Sequence, residues 1–157
     1  MTIFTDTLAT EQALLARAVT PPGPPLAFGT DLSCVSDITD RLDSLDPNSP
    51  LGVAQSLIRR LTCPRGGLPD DRNYGTDVRG FLNRGASPTD LQGYESQVRG
   101  ECAKDDRVDS TDVTLAMFTA TKTLRIRIQV TPADPTTNDF EFVFTVDDTQ
   151  ALLESIR

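Results

Sequence analysis

Leu124-Arg125-Ile126-Arg127-Ile128-Gln129-Val130 decides the fold of this 157-residue chain. Four apolar residues alternate with three polar ones, the period-two pattern of a strand with one face buried and one in water. The same alternation runs on either side. Before it, Val113, Leu115 and Met117 interleave with Thr114, Ala116 and Phe118; after it, Phe140, Phe142, Phe144 and Val146 interleave with Glu141, Val143 and Thr145. A tight turn near Thr121-Lys122 and a Pro/Asp/Asn loop over 132–139 separate the three runs, which predicts an antiparallel meander. Beyond it, Asp147 or Asp148 can cap a last short helix carrying Ala151, Leu152 and Ile156.

Upstream of Arg107 the period is that of a helix. Asn48-Ser49-Pro50 is a helix start, with Ser49 as the cap and Pro50 in the first position. Val53, Ala54, Leu57, Ile58 and Leu61 then make one apolar stripe, which Cys63-Pro64-Arg65-Gly66-Gly67 ends. A polar loop leads from Gly66 to Tyr74, followed by a short helical piece from Thr76 to Asn83 and a longer one from Ser87-Pro88 to about Lys104. Gly93 and Gly100 weaken that last helix. Helices packed on one face of a small antiparallel sheet, of three strands or slightly more, make an α+β domain spanning residues 26–157.

Residues 1–25 form a separate unit, an N-terminal helical arm. Leu14, Leu15, Ala18 and Val19 fall at helical spacing behind Thr10, with Leu8 one turn earlier. Pro21-Pro22-Gly23-Pro24-Pro25 then imposes an extended spacer that no helix crosses. Three states are open for such an arm: packed back on the body, disordered, or docked on a neighbouring subunit through Leu8, Leu14, Leu15 and Val19. The aspartates at 37, 40, 43 and 46 lack the ligand order of a calcium loop. With Ile38, Leu42 and Leu45 between them, they read as the wet side of one or two helical turns.

Composition narrows the chemistry. The chain has no histidine, which removes histidine-based nucleophilic sites, histidine general bases and most zinc and iron ligand sets. Cys34, Cys63 and Cys102 are widely spaced without a Cys-x-x-Cys pair, and read as reduced thiols in a reducing cytoplasm. A net charge of −8, with no basic run longer than Arg59-Arg60, argues against nucleic acid and anionic membranes and for protein partners. No segment approaches the roughly 18 apolar residues of a membrane span, and the start of the chain has no basic region of a signal peptide. Gly66-Gly67 lacks the preceding strand and the Gly-Lys-Ser/Thr of a phosphate loop. Glu95, Glu101, Asp105 and Asp106 read as a solvated acidic surface, since a glycosidase pair needs one buried carboxyl at a set distance from the other. No catalytic residue, metal site, cofactor or small-molecule substrate is expected. Asp105-Asp106-Arg107 stands apart, because it sits where helix gives way to strand. There Arg107 can fork onto carboxylates or carbonyls and fix the corner, or stand exposed as the anchor of a partner.

Four segments in order resemble the small baseplate wedge (sheath-initiator) proteins of contractile phage tails and related injection systems. They are Phe28-Gly29-Thr30-Asp31-Leu32, the helix Val53 to Thr62, Pro64-Arg65-Gly66-Gly67 leading to Asn73-Tyr74-Gly75-Thr76-Asp77-Val78-Arg79, and Asp105-Asp106-Arg107-Val108. The motif positions are Arg65, Gly66, Tyr74, Gly75, Asp105 and Arg107. The family often carries Glu-Pro-Arg at the corner, and this chain keeps the acid and the arginine but not the proline. The resemblance implies a non-enzymatic virion part of the tail baseplate, assembled in the host cytoplasm. It would sit in a ring of about six copies around the tail tube, bound to other wedge proteins. Its sheet, with Arg125, Arg127, Glu141 and Val143 as candidate contact residues, would template the first ring of tail sheath protein by strand addition. Two other roles go with the same resemblance: a soluble regulatory adaptor, and the lysozyme-like activity some members were once labelled with.

Overall fold

A computed structural model describes residues 31–32, 44–147 and 149–157. The arm with Leu8, Leu14, Leu15 and Val19 lies outside the described residues, as do Cys34, Asp37, Asp40, Asp43 and most of the first resemblance segment. Two short strands, β1 (Asp31–Leu32) and β2 (Ser44–Leu45), pair antiparallel. Leu45 is therefore in a strand and not at the end of a helical turn. Its backbone pairs with Asp31 across the ladder, and that tertiary contact overrides the local spacing.

Helix α1 (Pro50–Thr62) begins as its sequence dictates, with Pro50 in the first turn and the Ser49 hydroxyl accepting from the Gly52 amide at 3.1 Å. Helix α2 (Val78–Asn83) is capped by Asp77, whose carboxylate accepts from the Gly80 amide at 2.9 Å. Helix α3 (Pro88–Cys102) opens on Ser87, with the Asp90 carboxylate reaching back to the Ser87 amide at 2.9 Å. Four antiparallel strands follow in consecutive order: β3 (Val108–Phe118), β4 (Thr123–Pro132), β5 (Phe140–Val146) and β6 (Ala151–Ile156). Among the described residues no helix is long and apolar enough to cross a membrane.

The fourth strand corrects the sequence reading, which placed a helix there. Asp147 does cap something: its carboxylate accepts from the Thr149 and Gln150 amides, both at 2.7 Å, but what it closes is a hairpin turn. The chain then returns beside β5, Leu152 opposite Thr145 and Ser155 opposite Val143. β5 would otherwise end the sheet with a row of unpaired backbone groups, and pairing satisfies them.

The core lies between the helices and one face of the sheet. Leu124, Ile126, Ile128, Val130, Phe142, Phe144 and Val146 have no exposed surface, and Leu57, Leu61, Val78 and Val98 meet them from the helices. Burying each such side chain contributes about 1.5–3 kcal/mol. Phe81 stacks on Tyr94 with ring centroids 3.8 Å apart, which ties α2 to α3.

Candidate functional site

Helix α3 points Leu91, Tyr94, Val98 and Cys102 at the core, and Glu101 falls on the same stripe. Only 1% of Glu101 is exposed. An ionised carboxylate in that position is costly unless every lone pair is used. The chain supplies four donors. Arg60 from α1 reaches Oε1 at 3.2 Å, and the Gly75 amide reaches the same oxygen at 2.9 Å. Lys104 Nζ reaches Oε2 at 2.6 Å and Arg65 Nη2 reaches it at 3.2 Å. Burial works against the charge, but Lys104, the Gly75 amide and Arg60 outweigh it and hold this carboxyl below its ordinary value.

The donors are themselves held. Arg65 Nε donates to the Gly75 carbonyl at 3.2 Å, and Lys104 also donates to the Asn73 carbonyl at 2.8 Å. The Arg60 guanidinium lies 4.3 Å from the centre of the Tyr74 ring, a cation–π contact. Gly75 has φ of +97°, and a Cβ there would stand 2.2 Å from the Cys63 carbonyl oxygen. Only glycine lets the loop pass close enough to present its amide to Glu101. Gly66, at φ +79° with open space around it, serves the turn closed by Gly67 N–H onto the Pro64 carbonyl at 2.9 Å.

A second buried carboxylate sits one turn further on. Asp105 accepts a two-pronged bond from Arg107, Nε to Oδ1 at 2.8 Å and Nη2 to Oδ2 at 2.6 Å. The remaining Arg107 nitrogen, Nη1, donates to the Pro47 carbonyl at 2.8 Å, in the turn just before α1. Asp105 and Arg107 are both largely buried, so the fork is shielded from water. Burial again opposes the charge on Asp105, and the Arg107 hydrogen bonds and charge keep its carboxyl below its ordinary value. The corner thus joins the exit of α3, the entry of α1 and the start of β3. Arg107 takes the structural option: it fixes the corner from within.

Five of the six motif positions, Arg65, Tyr74, Gly75, Asp105 and Arg107, touch these two carboxylates or a residue that holds one; Gly66 shapes the adjoining turn. Glu101 and Asp105 were expected on a solvated surface and are buried; Glu101 was missed as the hub. The signal for it was present, since Glu101 lies seven residues from Tyr94 and three from Val98 on an apolar stripe. Glu95 is used differently: its Oε1 accepts the Leu115 backbone N–H at 3.1 Å.

On the outer face of the sheet, away from the helices, Arg125 pairs with Glu154 at 2.8 Å and Arg127 with Glu141 at 3.6 Å. Both arginines are at least half exposed. Val143, expected among the contact residues, is only 4% exposed. It sits on an inner strand, opposite Arg127 on one side and Ser155 on the other. Among the described residues no cluster of three or more potential ligands could hold a metal ion. The described thiols, Cys63 and Cys102, are unpaired, and burial pushes Cys102 up to about 12. Comparison with models of known protein families gives no match, and no curated protein is similar to the chain.

Proposed function

We propose that the chain is a structural component of a contractile-tail baseplate wedge, binding other wedge proteins around the tube and templating the first sheath ring by strand addition. One observation carries this reading. Segments far apart in sequence that bear the resemblance, around Arg60, Arg65, Tyr74, Gly75 and Arg107, converge on two adjacent buried carboxylates. A motif set that builds one rigid joint between helices and sheet suits a part that must present its sheet at a fixed angle. Glu101 and Asp105 are held ionised by their cations, whereas a glycosidase acid needs a raised pKa, so these two carboxyls do not support a lysozyme-like role.

Affinity purification of the tagged full chain from its native host tests the proposal. Recovery with tail particles, visible by electron microscopy, is the expected result. Recovery with a single soluble host protein and no particles would replace it with the regulatory adaptor.

A further inference from the structure

The two ends of the sheet differ in shape and in charge. At the corner end, where β3 starts and β4 stops, a cavity of about 310 Å³ opens to the surface. Val53, Pro132, Ala133, Pro135 and Phe140 give it apolar walls, and the exposed residues Asp106 and Asp134 stand beside them. Arg107 holds the walls apart: its Nη1 donates to the Pro47 carbonyl at 2.8 Å, and its own carbonyl accepts the Ala133 N–H at 2.9 Å. Asp134 is engaged through Oδ1, which accepts from Thr136. Asp106 has no partner among the described residues. Asp46, Asp109 and Asp139, all exposed, make this end more negative still.

The other end, about 30 Å away along the eleven residues of β3, is convex and basic. Phe118 closes β3 on the face away from the helices and is 51% exposed, the most exposed aromatic ring among the described residues. Lys122 lies across the same turn, exposed and without a partner among the described residues. The turn is held in shape, since the Thr121 hydroxyl donates to the Phe118 carbonyl at 3.4 Å and the Thr123 hydroxyl to the Thr121 carbonyl at 3.2 Å. Asn83 and Gly85 share a groove with Lys122, so the exposed Arg84 between them adds a second cation. The acid at this end, Asp147, already accepts from the Thr149 and Gln150 amides.

We propose that the corner cavity receives the β3–β4 turn of a second copy of this chain. Phe118 of the entering copy fills the space between Val53, Pro135 and Phe140, and its Lys122 pairs with Asp106 at the rim. An apolar cavity alone would take many side chains. An acidic rim asks for a ring with a cation beside it, and the far end of the same molecule offers that pair unengaged. Knob and hole lie at opposite ends of one chain, so the contact is head-to-tail and propagates into a ring or a filament. It uses no sheet edge and no sheath subunit, and goes beyond the baseplate reading. One anchor and one ion pair make a weak contact, and the net charge of −8 on every copy opposes it. Association is therefore expected at about 0.1–1 mM chain in about 0.15 M salt.

Sedimentation equilibrium of the purified full chain tests it. The average mass should rise with concentration past that of a dimer. Phe118→Ala should weaken association about tenfold or more, the effect of truncating an aromatic anchor. Asp106→Lys should do the same by setting two cations against each other, and adding Lys122→Glu to that chain should restore association. Phe118→Ala keeps a sound hole and Asp106→Lys a sound knob, so mixing the two should give dimers and nothing larger. A mass that stays at the monomer up to about 1 mM would overturn the proposal. So would undiminished association of Phe118→Ala, a charge-swapped chain that stays monomeric, or a mixture that grows beyond two chains. Nuclear magnetic resonance of the unaltered chain gives a readout independent of variant folding. Raising the concentration should shift Val53 and Phe140 signals together with those of Phe118 and Lys122, whereas shifts confined to one end mean that like ends meet and sink the idea. All of this is read in purified protein, so absence from tail particles defeats the baseplate reading and leaves this one standing.

Discussion

Arginine meets carboxylate in two settings in this molecule, and the chemistry is the same while the surroundings are not. At the joint, Arg60 and Arg107 face Glu101 and Asp105 with little or no access to water. On the outer face of the sheet, Arg125 and Arg127 face Glu154 and Glu141 in the open. Water competes for the second pair of contacts and salt screens them, so each contributes little. The first pair has lost its water already, and each charge depends on its partner to stay solvated. One setting fixes the architecture; the other leaves two arginines available to re-pair with whatever approaches.

Breaking the joint should separate the two settings most widely. Glu101→Ala strands Arg60 and Lys104 without their shared anion, and should cost about 3–5 kcal/mol in urea unfolding of the full chain. Arg107→Lys keeps the charge but loses the fork and one of its three directed bonds. A loss of about 2 kcal/mol is expected by the same measurement. Acid is a gentler way to the same place, because it removes charge and leaves the side chains standing. Glu101 and Asp105 both titrate below their ordinary values, 4.5 and 3.8, in the folded chain. Their stabilisation is therefore complete above that range and drains away as the pH falls through it toward the lower folded values. Melting temperature against pH should bend there, and the bend should shrink in Glu101→Gln. Smallest of all is Arg125→Ala, expected to change stability by about 1 kcal/mol or less, with the difference vanishing in high salt. An Arg125→Ala loss as large as that of Arg107→Lys would erase the distinction between the settings.

The sequence made the outer-face arginines legible and hid the joint. Alternation places Arg125 and Arg127 on the wet face of β4 without ambiguity, because a one-residue slip would bury both. The helix from Pro50 is equally plain, since Ser49 and Pro50 mark its start and Leu57 and Leu61 its inner face. Glu101 is harder, because a glutamate near a helix end is at home in water on any local criterion. Its burial depends on Arg60, Arg65 and Gly75, which lie 41, 36 and 26 residues away. The resemblance pointed to Arg65, Gly75 and Arg107, but nothing in spacing alone joined them to Glu101. Residues 151–156 failed for a different reason. Six residues with Ala151, Leu152 and Ile156 satisfy a helical stripe nearly as well as a strand. The waiting edge of β5 decided between them, and no local signal records that edge.

The consecutive order of the sheet also says something about time. β3 to β4 closes through residues 119–122 and β5 to β6 through 147–150, four residues each. Closing such short loops costs little entropy, so the meander can form early on its own hydrophobic face. The Glu101 joint needs three separate stretches of chain already in place, and so belongs to the late steps. Substitutions there should leave the rate of folding nearly untouched and appear as faster unfolding. A part made this way acquires its sheet first and its rigidity last.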